Sequence, residues 1–220
     1  MSPLFVVNFK SYVSLEEELR VAKTMEKYTS DLFDTLIAVP PSHIYPLSRE
    51  LEIPVLGQHV DPVKSGAYTG HITPGSLKEV GAKGTLINHS ERRLKLADIA
   101  QSLELCKEEG LLTICCSNNV ATSKALAALS PDYVAIEPPE LIGGDIAVSK
   151  AKPEIVENSV RGVKKIDARV GVLCGAGIKT GGDISKALAL GAEGVLLASG
   201  VVKAKDLRGA LEDLTSGFNL

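Results

Sequence analysis

Eight short apolar runs punctuate the chain, at residues 4–7, 35–39, 54–58, 85–88, 111–116, 133–136, 170–174 and 194–198. None alternates apolar with polar positions. Each therefore predicts a strand buried on both faces, as strands of a parallel sheet covered by helices are. Between the runs the period lengthens to that of a helix. Ser14 with Glu17 reads as a capping box opening a helix whose Leu15, Leu19 and Ala22 share one face. Ile99, Leu103 and Cys106 repeat that spacing, and Gly110 supplies the stop. Pro153 suits a first helical position ahead of Val156, Val160 and Val163. Asp206 can cap a last helix carrying Leu207, Ala210, Leu211 and Leu214. Around 42–50 the pattern predicts a helix interrupted by Pro46, and around 119–129 a short one.

One internal echo bears on architecture. Gly81-Ala-Lys-Gly-Thr-Leu-Ile-Asn88 is matched by Gly191-Ala-Glu-Gly-Val-Leu-Leu-Ala198, half a chain later. In a ring of eight strand–helix units, half a chain leads to the opposite side, so the fourth and eighth strands would be entered by one kind of turn. No linker divides the sequence. The expectation is an α/β fold: one (β/α)8 barrel of eight parallel strands, a single domain over 1–220.

Hydrophobic residues make up 45% and charged residues 23%, a balance that argues against disorder. The net charge is −3, and no Lys/Arg cluster is interleaved with aromatics, so no nucleic acid and no membrane surface is expected as a partner. The apolar run at the amino end is too short for a signal peptide or a membrane span, and a cytoplasmic location is expected. Cys106, Cys115, Cys116 and Cys174 lack metal-type spacing and read as buried thiols.

In such a barrel, chemistry collects past the carboxyl ends of the strands. Reading there gives Asn8-Phe9-Lys10, Gly57-Gln58-His59, Asn88 through Arg93, Ser117-Asn118-Asn119, Glu137, Gly175-Ala176-Gly177 and Ser199-Gly200. Glu137 leaves a buried run where solvation falls, so its pKa is expected to rise, which suits a base. Alternation along the first strand puts Asn8 and Lys10 on one side, where a cation can hold an anion and favour charge developing on an oxygen. His89 stands where a helix is expected to begin at Ser90 and Glu91, whose amides would keep the imidazole neutral. Gly175, Gly177 and Gly200, with the amides of Ala198 and Ser199, admit a phosphate close to the backbone.

In order along the chain, Asn8-Phe9-Lys10, the 66–70 stretch Gly-Ala-Tyr-Thr-Gly, Asn88-His-Ser-Glu-Arg-Arg93, Ala135-Ile-Glu-Pro-Pro-Glu-Leu-Ile-Gly143, Gly175-Ala-Gly177 and Leu197-Ala-Ser-Gly200 resemble the triosephosphate isomerase family, in its short archaeal-type branch. The resemblance implies a TIM barrel that interconverts dihydroxyacetone phosphate and D-glyceraldehyde 3-phosphate without metal or cofactor. It implies Glu137 as the base, His89 as the neutral electrophile, Lys10 as the electrostatic partner and Asn8 as an orienting group. Ile142, Gly143, Gly177, Ala198 and Ser199 would hold the phosphate, and Glu91 would hold the lysine. Residues 138–148 resemble the closing loop of that family, and 66–70 the loop through which its subunits join as homodimers or homotetramers, with Thr69 approaching a neighbour's Asn8 and Lys10. Here the chain departs from the pattern: Gly143-Gly144-Asp145 stands for the usual Gly-Thr-Gly, Ala147 for a frequent Pro, and His71 for a Glu. Two other readings stay open at this point. One is an aldolase-like barrel forming a Schiff base at Lys10. The other is a non-catalytic barrel that binds a phosphorylated metabolite.

Overall fold

The eight runs become the strands β1 (Leu4–Asn8), β2 (Asp34–Val39), β3 (Val55–Gly57), β4 (Gly84–Ile87), β5 (Leu112–Ser117), β6 (Tyr133–Ile136), β7 (Gly171–Cys174) and β8 (Gly194–Leu197). The structure is a computed structural model and describes residues 2–138, 147 and 152–219. Every strand pairs in parallel with its sequence neighbours, and β8 closes on β1 through Leu4↔Gly194 to Val7↔Leu197, giving a closed barrel in the order β1 to β8. Side chains alternate between two apolar clusters. Leu4, Val6, Leu36, Ala38, Ala135 and Leu196 fill the barrel interior, while Phe5, Val7, Ile37, Val39, Ile136 and Leu197 face the surrounding helices. That division is why no strand reads as half polar.

Most helices follow their expected start and stop signals. The helix Leu96–Glu109 ends on Gly110 at φ 69, and Leu207–Ser216 is capped by Asp206, which accepts from the Gly209 amide. Pro153 opens Pro153–Ile166, with Val156 and Val163 buried, and Asn119 caps Val120–Ala127. Two expectations need correction here. The Ser14 hydroxyl accepts from the Glu17 amide, but the Glu17 carboxylate turns to Arg20 and completes no reciprocal box. The reciprocal box forms instead between Thr180 and Asp183, at the start of Gly181–Ala189. Pro46 does not interrupt its helix: Pro41–Glu50 runs through it, because burial of Ile44 and Leu47 outweighs one missing backbone bond.

The two halves of the echo adopt one geometry. Gly81 and Gly191 take φ 93 and φ 91, and their amides donate to Lys78 and Leu188. The next amides, Ala82 and Ala192, return to Leu77 and Ala187 at 3.0 and 3.1 Å. At Gly84 and Gly194 a Cβ would sit 2.3 and 2.2 Å from the carbonyl oxygens of Leu112 and Leu4. Only glycine lets these two strands start so close to a neighbour. Strands β4 and β8 thus enter the barrel through equivalent turns on opposite sides.

Candidate active site

Alternation along β6 sends Ala135 inward and Ile136 outward, so the next residue, Glu137, points into the barrel mouth. Its amide still donates to Ser117 O at 2.8 Å, which fixes this residue to β5. The carboxylate is buried, Cys116 offers it a thiol hydrogen bond, and Oε2 has no partner among the described residues. Burial lifts its pKa to about 7, against smaller lowering effects from Cys116, Lys10 and Arg93. The opposite wall is equally tight. A Cβ on Gly175 would lie 2.6 Å from Glu137 Cγ, so glycine there makes room for the carboxylate.

His89 follows β4 on a turn and not on a helix, which corrects the expected start at Ser90; the helix begins at Leu96. The turn is built by Asn88, at φ 61, whose side chain donates to Cys116 O and accepts from the Leu94 amide. It nevertheless delivers the amide that matters. Glu91 N–H donates to His89 Nδ1 at 3.2 Å, so Nδ1 is an acceptor and the ring proton sits on Nε2. Nε2 lies 3.6 Å from Glu137 Oε1. Burial first, and then the Lys10 charge, lower the imidazole to about 4.

Lys10 and Asn8 both line the cleft, as alternation predicts, although Lys10 reaches it through a left-handed backbone at φ 52. Lys10 Nζ pairs with Glu91 Oε1 at 2.7 Å. Two residues hold this corner that sequence reasoning left without a role. Gln58 Nε2 donates to Asn8 Oδ1, Lys10 O and Ala38 O at 3.1, 3.0 and 3.2 Å, tying β1, β2 and β3 behind the lysine. Arg93 Nη1 donates to Asn88 O at 2.7 Å and to Cys116 O at 3.3 Å. The position of Gln58 just past β3 was the available signal; nothing in the sequence marked Arg93 as the tie.

Asn8, Lys10, His89, Glu137, Gly177, Ala198 and Ser199 line one cleft of about 50 Å³. Ile142 and Gly143 lie outside the described residues, as does the expected closing loop apart from Pro138 and Ala147. Larger depressions of about 760 and 680 Å³ open at the amino edge of the barrel, by Leu112 and Asp132 and by Leu4 and Asp34. They lie among strand starts, and Glu137, His89 and Lys10 line neither. Chemically, the cleft joins a carboxylate poised to take a proton to a neutral N–H and an ammonium that can receive charge on oxygen.

A family model described as triosephosphate isomerase matches residues 3–214. The triosephosphate isomerase of Methanothermus fervidus is 52% identical over 216 residues, covering 96% of this chain and 97% of that protein. That of Methanocaldococcus jannaschii is 53% identical over 215 residues, covering 96% and 98%. Among solved structures, the triosephosphate isomerase of Bartonella henselae superposes with a TM-score of 0.80 at 22% identity, covering 98% of this chain and all of that one, a likeness of fold.

Proposed function

The chain belongs to the triosephosphate isomerase family, and from that premise we propose how its rim residues divide the work of the reaction. The enzyme interconverts dihydroxyacetone phosphate and D-glyceraldehyde 3-phosphate, an aldose–ketose isomerisation of glycolysis and gluconeogenesis. Glu137 takes a proton from the carbon beside the carbonyl. The electron pair moves onto the carbonyl oxygen, where the Nε2–H of His89 and the ammonium of Lys10 stabilise the enediolate. Glu137 then returns the proton to the neighbouring carbon, while the hydroxyl on the first carbon gives up its proton to become the new carbonyl and the enediolate oxygen takes one up to become the new hydroxyl. A carboxylate base beside a neutral imidazole is the established pairing of this family, so only the geometry is particular to this chain. Asn8 orients the substrate, Glu91 holds Lys10, and Gly177, Ala198 and Ser199, with Ile142 and Gly143, take the phosphate.

The observation that carries this reading is the 3.6 Å approach of His89 Nε2 to Glu137 Oε1, with Nδ1 already engaged by the Glu91 amide. A coupled assay with D-glyceraldehyde 3-phosphate on the wild type and on Glu137→Gln tests it. Equal rates in the two proteins would remove Glu137 from the mechanism.

The same reading makes residues 1–220 one catalytic barrel acting in the cytoplasm as a homodimer or homotetramer. Support for self-association comes from the 64–71 stretch, which is exposed throughout while its base is tied by Asp61 N–H to Ile72 O at 2.8 Å and Ile72 N–H to Asp61 Oδ2 at 2.7 Å. Sedimentation of Thr69→Arg against the wild type tests it: loss of the larger species supports the loop as the contact, and an unchanged profile rejects it.

A further inference from the structure

We propose that Lys203, seated on the ring of Tyr12, is a further substrate-recognising residue, one that holds the phosphate end of the substrate and sets the preference for phosphorylated over neutral trioses. This rests on the isomerase reading. The first observation is one of space. The cleft at the reacting groups, on the side where Gly177, Ala198 and Ser199 meet, abuts further open space. The space it meets is a depression of about 470 Å³ that shares Tyr12 and Ser199 with the cleft and is otherwise lined by Lys179, Gly200 and Lys203.

The second observation is the arrangement of charge. Lys203 Nζ lies 3.9 Å from the centroid of the Tyr12 ring, a close cation–π contact, and Lys10 Nζ stands 5.9 Å from the same centroid. The two ammonium groups are thus at most about 10 Å apart, no more than a Debye length at ordinary salt, and a phosphate between them feels both. They are not equivalent. Lys10 is committed to Glu91 at 2.7 Å, whereas Lys203 is paired with no carboxylate among the described residues and stays open to an incoming anion. The ring removes much of the freedom of an exposed lysine before substrate arrives, which makes its charge more useful. Lys10 then serves the oxygen that gains charge in the reaction, and Lys203 serves the phosphate that keeps its charge throughout.

The experiment compares wild type, Lys203→Met, Lys203→Arg and Tyr12→Leu. Turnover is measured with D-glyceraldehyde 3-phosphate and with phosphate-free D-glyceraldehyde, and binding of inorganic phosphate is measured by titration calorimetry at low and high salt. Lys203→Met is expected to lower kcat/KM for the phosphorylated substrate about tenfold, through KM, and to weaken inorganic phosphate by a similar factor at low salt. Its ratio of phosphorylated to neutral turnover falls by the same amount; Lys203→Arg restores most of it, and Tyr12→Leu reproduces part of the loss. An equal loss on both substrates, or phosphate binding as tight in Lys203→Met as in wild type, overturns the proposal. If the wild type binds phosphate through Lys203 but isomerises nothing, the isomerase reading fails and the subsite stands. If it isomerises well and phosphate binding ignores Lys203, the subsite alone fails.

Discussion

His89 Nε2 faces Glu137 Oε1 across 3.6 Å, and the same burial, which favours the uncharged form of each, moves their pKa values in opposite directions. It lifts the carboxyl to about 7 and drops the imidazole to about 4, so a neutral histidine meets a carboxylate that ionises near neutrality. The expected kcat/KM profile therefore rises with pH through about 7, and His89 contributes no break near neutrality. The phosphate of the substrate titrates near pH 6 and adds its own break. Cys116→Ala separates the two: without the thiol hydrogen bond that favours the ionised base, the limb of Glu137 moves up while that of the substrate stays. Initial rates across the neutral range, for both proteins, read this directly.

That base carries a cost in stability. The pKa of Glu137 is about 7 when folded against 4.5 for the free side chain, so between those values the folded state binds more protons than the unfolded one. Stability then falls as pH rises through the window, by roughly 3 kcal/mol in all, and the loss is complete above it. Glu137→Gln is expected to be more stable than wild type by up to that amount at about pH 8. Near the lower edge of the window the two should be alike. Its kcat falls by roughly 10² to 10⁴. Urea unfolding at both pH values checks the first part, and equal stability at the higher one would show that the carboxylate carries no such burden.

Glu91 is 60% exposed on its side chain although it pairs with the cleft lysine. Its ion pair is screened by water, and Glu91→Gln should cost no more than about 1 kcal/mol of stability. Activity should suffer more. Freed from its partner, Lys10 loses its fixed place, and kcat/KM should fall about tenfold while the thermal midpoint hardly moves. Parallel scans of activity and melting decide whether the pair positions or merely stabilises.

Gly175→Ala places a methyl group 2.6 Å from Glu137 Cγ. The base must shift, and kcat is expected to drop about a hundredfold with a stability loss of about 1–3 kcal/mol. Kinetics and denaturation on the same preparation test both, and a fully active variant would mean that the base tolerates displacement.

Asp145 adds an acid where the family usually has a small neutral run. Asp145→Gly should leave kcat similar and lower or preserve KM, because a carboxylate carried on the segment that the family resemblance assigns to closing over the phosphate would repel it. A large rise in KM would give the acid a necessary role.

The barrel was legible because each strand serves two apolar clusters, so eight uninterrupted runs survive in the sequence, and the motifs after them lie on one rim. What was hidden depends on contacts between distant residues. The Thr180–Asp183 box contains two glycines and closes with an Asp, so it does not resemble the usual pattern. His89 needed one amide from Glu91, and a turn supplied it as well as a helix would have. The left-handed bend at Lys10 is braced by Gln58, 48 residues away along the chain, and local propensity carries no trace of that tie.

The paired turns on the floor of the barrel have a consequence at its mouth. A turn that fixes where a strand begins also fixes how high its far end reaches, and β4 and β8 lift His89 and Ser199 to opposite sides of one opening. On the proposed division of roles, the reach of substrate between reacting oxygen and phosphate is gauged from below, by Gly84 and Gly194 pressed against the backbones of Leu112 and Leu4. On that reading, selectivity for a short sugar is anchored on the face of the molecule that no sugar touches.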